Sequence, residues 1–183
     1  MRAELLMARL SARGLVITGG GFGGSIEITR SDVCVGLAGL PAHHAELMRT
    51  MFLDDHRGDD LILSKIRAFI LARAGVGKIT VTADAVSGLA MLALFEVVNP
   101  VHCSGCRGHG EVRFRTGVIR ACEKCNGSGS GSRSLREQAC IAGVDKEVYR
   151  LRLQGLATQG FCEVSTWLDD GCRHLLRRMK DAA

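Results

Sequence analysis

The phrase C-x-x-C-x-G-x-G occurs twice, at Cys103–Gly110 and at Cys122–Gly129, and fifteen residues separate Cys106 from Cys122. This spacing fits a four-cysteine metal site, in which each tight C-x-x-C turn aims two sulfurs at one ion. Zinc takes four thiolates in a tetrahedron at about 2.3 Å. The glycines after each pair permit φ > 0 and bring backbone N–H groups towards the sulfurs. Such donors matter, because a zinc tetrathiolate carries two net negative charges. Arg107 and Lys124, each beside a cysteine, are expected to offset them. Two redox pairs would leave the doubled glycine tails without a role. Two disulfides would require an oxidising compartment. We therefore expect Cys103, Cys106, Cys122 and Cys125 to hold a structural Zn2+, with no position open for a water nucleophile. His102 and His109 are expected to be neighbours of a site already complete.

The start of the chain does not read as a signal peptide, because Arg2, Glu4 and Arg9 break its apolar run. A cytoplasmic location with reduced thiols is the expectation. The most apolar window, Val81–Val98, contains Asp84, Ser87, Gly88 and Glu96 and predicts a buried helix, not a membrane span. Residues 1–100 carry ten basic and ten acidic side chains, and residues 101–183 carry fourteen and nine, so the net charge of +5 lies in the cysteine-bearing half. Such asymmetry suits a polyanionic partner, or a solvated charged surface.

The elements in order predict a mainly α fold. It is a helical bundle with an inserted four-cysteine zinc-binding β-hairpin and knuckle module, followed by a helix-turn-helix-like segment. Residues 1–30 read as a glycine-rich arm or hairpin, with strand-like Leu15–Thr18 and Ile26–Thr29 flanking Gly19–Gly24. The glycines formally satisfy G-x-G-x-x-G, but a second strand follows them where a dinucleotide fold needs a helix. Residues 31–100 read as the bundle. Ser31 caps a short helix with Asp32 in its first turn. Pro41 opens a helix through Leu47, Met48, Met51 and Phe52. His43 and His44 read as surface or boundary residues. Asp54–Asp60 reads as a solvated turn, without the ligand pattern of a calcium loop. Helices follow over Leu61–Ala74 and from Thr82 or Ala83 to Val98. Gly75–Thr80 fails as a phosphate loop, because Ala72 and Ile79 occupy required positions.

Residues 101–130 form the zinc module. Two short strands turning at Thr116–Gly117 join its knuckles. Period-2 alternation puts Arg113 and Arg115 on one strand face, either touching phosphates or facing solvent. Residues 131–183 hold the last helices. Ser134 with Glu137 forms a capping box, and Ala139 followed by Gly143-Val144 matches the small residue and turn of a helix-turn-helix. Asp145 caps a second helix with apolar positions Val148, Leu151 and Leu156. Its first turns would offer Lys146, Tyr149, Arg150 and Arg152 to a major groove. An ordinary helical hairpin is the other reading. A last helix over Cys162–Met179 carries Val164, Trp167, Leu168, Leu175 and Met179, with Arg173, Arg177, Arg178 and Lys180 near its C-terminal end. Cys34, Cys140, Cys162 and Cys172 lack paired spacing and read as packing residues.

Taken together, the run from Ser31-Asp-Val33 through Leu89–Phe95, the doubled cysteine phrase and the Val144–Leu156 helix resembles the late-gene antitermination (Q-type) proteins of lambdoid bacteriophages. The likeness covers roughly residues 31–175. It implies a protein that is not an enzyme, takes no small-molecule substrate and binds no membrane. Such a protein acts in the cytoplasm of a bacterial host. It would bind duplex DNA near a phage late promoter, engage paused RNA polymerase, and let it read through pauses and terminators. Carried over by position, Lys146, Tyr149 and Arg150 lie at the DNA face, with Arg133 and Arg136 nearby for phosphates. The glycine-rich arm matches nothing in the family. The recognition-helix residues differ from those of the relatives, so the DNA sequence read would be the chain's own. The zinc region of J-domain heat-shock co-chaperones uses the same cysteine phrase, which makes a zinc-dependent chaperone adaptor the alternative. Two copies instead of four and no His-Pro-Asp signature count against it. The chain has neither HExxH nor a His-x-Glu beside the cysteine pairs, which argues against a catalytic metal site.

Overall fold

The computed structural model describes residues 15–17, 26–28, 36–114 and 117–181. Ser31, Asp32, Cys34, Arg115, Thr116 and the side chains of Met179 and Lys180 lie outside the described residues. The fold is mainly helical, with two small antiparallel strand pairs. β1 (Leu15–Ile17) pairs with β2 (Ile26–Ile28) in the register Leu15↔Ile28, Val16↔Glu27 and Ile17↔Ile26. An antiparallel pair is what a glycine-rich hairpin produces, whereas a dinucleotide fold would run its strands parallel.

The described residues fall into two compact units, one up to Lys65 together with the stretch from Ser165, the other Ile66–Val164. The divisions lie inside two long helices. In the first unit, α1 (Ala42–Leu53) starts after Pro41 and stops where Asp54 turns left-handed at φ 54°. Leu37, Met48, Cys172 and Leu175 form its core, with Leu40, Phe52 and Leu168 against them. His44 is 9% exposed, and its ring stacks on Trp167 at 5.8 Å between centroids. It is therefore an interior residue and not a boundary one, because the indole gives the imidazole an apolar face to cover. The acidic stretch forms a turn that leads into the next helix, in which Asp55 accepts from the N–H and guanidinium of Arg57, and His56 sits between Asp54 and Asp59.

The second unit contains most of α2 (Asp59–Val76), α3 (Ala83–Val98), the cysteine region, α4 (Leu135–Ile141) and the start of the last helix. Thr82 caps α3 by accepting the Ala85 N–H at 3.2 Å. The end of α2 closes as a cap and turn, with Ile79 N–H donating to the Ala74 carbonyl and Lys78 at φ 50°. Among the described residues, no helix is long and apolar enough to cross a membrane.

Helical backbone then runs from Lys146 to Asp181: a first turn at Lys146–Val148, a π-helical stretch at Tyr149–Leu153, and α5 (Gln154–Asp181). The last helix thus begins well before the expected Cys162. Its buried stripe in this unit is Tyr149, Leu153, Leu156, Ala157, Gly160 and Val164, whereas Val148 and Leu151 are 43% and 68% exposed. Helical period alone allows either stripe. Tyr149 brings the larger apolar area and a hydroxyl with a partner, so its stripe turns inward. Cys172 packs in the core, and burial pushes its thiol up to about 11. Cys140 and Cys162 are exposed, so they do not pack as expected.

Gly88 locks α3 to the end of α4. A Cβ there would lie 2.1 Å from the Ala142 carbonyl oxygen. Gly88→Ala should therefore cost about 1–3 kcal/mol in urea unfolding, despite alanine's better helix propensity. Gly155→Ala, where nothing among the described residues lies within 4 Å, should instead stabilise by about 0.5–1 kcal/mol. Equal effects at the two glycines would contradict this packing.

Candidate metal centre

Each cysteine phrase folds the same way because each repeats the same backbone demands. Arg107 and Asn126 take φ 53° and 50°, Gly108 and Gly127 take 91° and 83°, and Gly110 and Gly129 take 74° and 75°. Two successive left-handed residues curl the chain back over its own sulfur. Gly110 N–H then donates to Cys106 Sγ and Gly129 N–H to Cys125 Sγ, each at 3.2 Å. Gly105 N–H approaches Cys103 Sγ at 3.4 Å.

The two knuckles grip each other reciprocally. Cys103 N–H donates to the Gly129 carbonyl at 2.8 Å, and Cys122 N–H to the Gly110 carbonyl at 2.7 Å. A Cβ on Gly110 would fall 2.3 Å from the Gly127 oxygen, and one on Gly129 would fall 2.3 Å from the Gly108 oxygen. Lys124 Nζ donates to Ser104 Oγ of the opposite knuckle at 2.6 Å. The segment between them forms β3 (Glu111–Arg113) and β4 (Ile119–Ala121), joined by a turn in which Gly117 takes φ 80°.

This duplication brings four thiols together. Cys103 and Cys122 sulfurs are 3.9 Å apart, those of Cys106 and Cys125 3.7 Å, and all four lie within 4.8 Å of one another. Four sulfurs at about 2.3 Å from one ion would be about 3.8 Å apart along a tetrahedron's edges, so the set is positioned to hold a metal ion. The two shorter separations are still far too long for disulfides. Cys103, Cys106 and Cys122 are buried, and Cys125 is partly exposed. Backbone N–H groups of Cys106 and Gly105 pull the Cys103 thiol down. Burial pushes Cys125 up, but the Gly129 N–H and the neighbouring thiols outweigh it and bring it down to about 6. Burial leaves Cys122 raised. Among the described residues this is the one cluster of metal-ligating side chains, and neither His102 nor His109 belongs to it.

The expected DNA-facing residues separate into two groups. Ser134 accepts from the Glu137 N–H, Glu137 bonds back to the Ser134 N–H, Gly143 turns at φ 66°, and Asp145 caps the next helix by accepting from Glu147 and Val148. Lys146, Arg150, Arg152 and Arg136 are exposed, with Arg150 paired to Glu147 at 2.9 Å. Arg113 is exposed on β3. Tyr149 is not offered to a groove: it is 2% exposed, and its hydroxyl donates to Gln138 Oε1 at 3.1 Å. Arg133 is also committed inward. It pairs with Glu96 at 2.7 Å, donates to the Asn99 carbonyl and lies 4.4 Å over the Phe95 ring. An aromatic ring and a carboxylate on α3 hold this guanidinium more firmly than solvent would. The sequence marks the arginine but not these partners, which lie more than thirty residues upstream.

Comparison of the sequence with protein-family models and with curated proteins gives no match.

Proposed function

We propose that the chain is a transcription antitermination factor of the lambdoid phage kind. It would bind duplex DNA near a late promoter, engage paused RNA polymerase, and act in the cytoplasm of a bacterial host as a binding protein rather than an enzyme. The observation that carries this reading is the exposure of Lys146, Arg150 and Arg152 on the helical backbone that follows the Gly143 turn, close after the cysteine knuckles. Tyr149 and Arg133 drop out of the contact set, and Arg136 and Arg113 remain candidates for phosphates.

The four thiols are taken to hold Zn2+, which supplies a structural cross-link and no reaction step. Lysine and arginine on phosphates give affinity that is blind to sequence and falls with salt. A side chain at a base edge adds about 1–3 kcal/mol of discrimination when it pairs well. The test is binding of the metal-loaded protein to late-promoter duplex DNA and to scrambled DNA over a salt series, alone and with paused polymerase. Arg150→Ala should weaken specific binding about tenfold or more while leaving bound metal unchanged. Unchanged binding in that variant removes this helix from the DNA face.

A second reading, the chaperone adaptor, is favoured by one feature. Phe114, Val118 and Ile119 stand about half exposed on the β3–β4 hairpin, at 50%, 47% and 56%. That reading predicts unfolded-client peptide binding that ignores salt, and no preference for promoter DNA.

A further inference from the structure

Residues 101–130 carry five basic side chains, Arg107, Arg113, Arg115, Arg120 and Lys124, against two carboxylates, Glu111 and Glu123. The β3–β4 register sorts those that lie on the strands. Val112 pairs with Arg120 and Arg113 with Ile119, and the Phe114 N–H donates to the Val118 carbonyl at 3.0 Å. Side chains alternate along a strand, and paired residues share a face. Val112, Phe114, Val118 and Arg120 therefore lie on one face of the hairpin, and Glu111, Arg113, Ile119 and Ala121 on the other. The first face carries a cation and no carboxylate, whereas the second carries one charge of each sign. Val112 packs against the buried cysteines, which anchors the first face at its base. Nearer the turn the Phe114 ring is half exposed, and the Arg120 guanidinium carbon lies 5.8 Å from its centroid. Arg113 and Arg120 are exposed, and neither has a carboxylate partner among the described residues.

An exposed aromatic ring beside an unpaired arginine offers a flat π-surface and a charge at one place. We propose that this face of the β3–β4 hairpin binds single-stranded nucleic acid, with a base stacked on Phe114 and the adjoining phosphate at Arg120. Stacking on a protein ring needs a base with a free face, which a single strand has and the inside of a duplex does not. A guanidinium meets a phosphate through parallel N–H bonds. The excess of cations in residues 101–130 attracts the phosphate chain at longer range. An apolar peptide would use the ring and Val118 but leave the Arg120 charge without a counterpart. The inference does not rest on the antitermination reading, which assigns duplex DNA to the helical backbone after Gly143.

The metal-loaded full chain would be titrated against labelled oligo(dT), oligo(U) and a duplex of the same length, with fluorescence anisotropy read over a salt series. The expected result is saturable binding of the single strands that weakens as salt rises. Phe114→Ala should weaken it about five- to a hundredfold, the size of one lost base stack, and leave both the salt slope and the duplex affinity as they are. Phe114→Trp should keep single-strand binding and Phe114→Leu should not, because leucine fills space without a π-surface. Arg120→Ala should lower the salt slope by about 0.7, the value of one phosphate contact to a single strand. Arg113→Ala makes the same charge change on the opposite face and should lower it less. Each variant leaves the four cysteines intact, and its metal content is measured alongside. A tighter oligo(U) complex assigns the site to RNA, and a tighter oligo(dT) complex assigns it to unpaired DNA. No saturable binding of either oligonucleotide, an equal loss on the duplex from Phe114→Ala, or equal effects of Arg113→Ala and Arg120→Ala would overturn the proposal. Full binding by the Phe114→Leu protein would also overturn it, since that is the behaviour of an apolar client site.

Discussion

Cys122→Ser should abolish stoichiometric metal binding and unfold the cysteine region, with loss of the visible bands that a cobalt-substituted tetrathiolate site displays. Cys122 is buried, and its sulfur lies 3.9 Å from that of Cys103. A serine oxygen leaves three thiolates and one poor, protonated ligand around the ion. Because the site is not preformed in the unfolded chain, the metal's binding free energy is also folding free energy, about 10–16 kcal/mol for structural zinc peptides. That exceeds the whole stability of an ordinary domain, about 5–15 kcal/mol, over much of its range. Chelation of the wild-type protein should reproduce the variant's circular dichroism and proteolysis pattern, and added Zn2+ should restore only the wild type. A Cys122→Ser protein that keeps one tightly bound ion and a native melting curve would show that the four thiols do not act as a ligand set.

Gly110→Ala should be the most damaging change that touches no ligand atom. The residue sits at φ 74°, its N–H serves Cys106 Sγ, and its Cβ would collide with the Gly127 carbonyl at 2.3 Å. The left-handed backbone costs a non-glycine residue about 1–2 kcal/mol, and forcing the knuckles apart adds about 1–3 kcal/mol. Displacing a hydrogen bond to a ligand typically weakens metal binding tenfold to a hundredfold. Competition with a calibrated chelator measures this directly. Gly129→Ala should match it, since its Cβ meets the Gly108 carbonyl in the reciprocal position. Gly117→Ala supplies the contrast. It has a similar φ of 80° with nothing among the described residues within 4 Å of the added methyl, so it should lose about 1 kcal/mol and leave metal affinity unchanged. If Gly110→Ala and Gly117→Ala behaved alike, backbone strain alone would matter and the reciprocal packing would not.

Much of the local architecture was legible because the residues state their own conformational limits. Thr82, Ser134 with Glu137, and Asp145 mark helix starts by accepting first-turn N–H donors, Pro41 does so by its fixed φ, and the structure places a start at each. The doubled C-x-x-C-x-G-x-G likewise carries its geometry with it, since the left-handed turn, the glycine and the donor to sulfur all lie within eight residues. Failures came where two choices were locally equal. Val148 and Leu151 compete with Tyr149 and Leu153 for the buried stripe, and an exposed cysteine such as Cys140 has the same spacing as a packed one.

Sequence by itself determined the helix starts of α1, α3 and α4, the turns of the knuckles and the four-thiol set, because each depends on neighbours in the chain. Tertiary structure alone decided that Arg133 belongs to Glu96 and Phe95, that Tyr149 donates to Gln138, and that His44 stacks on Trp167. Each of those side chains can face water or another element at similar local cost. The choice is made by burial and by a partner far away in the chain, which no local pattern records.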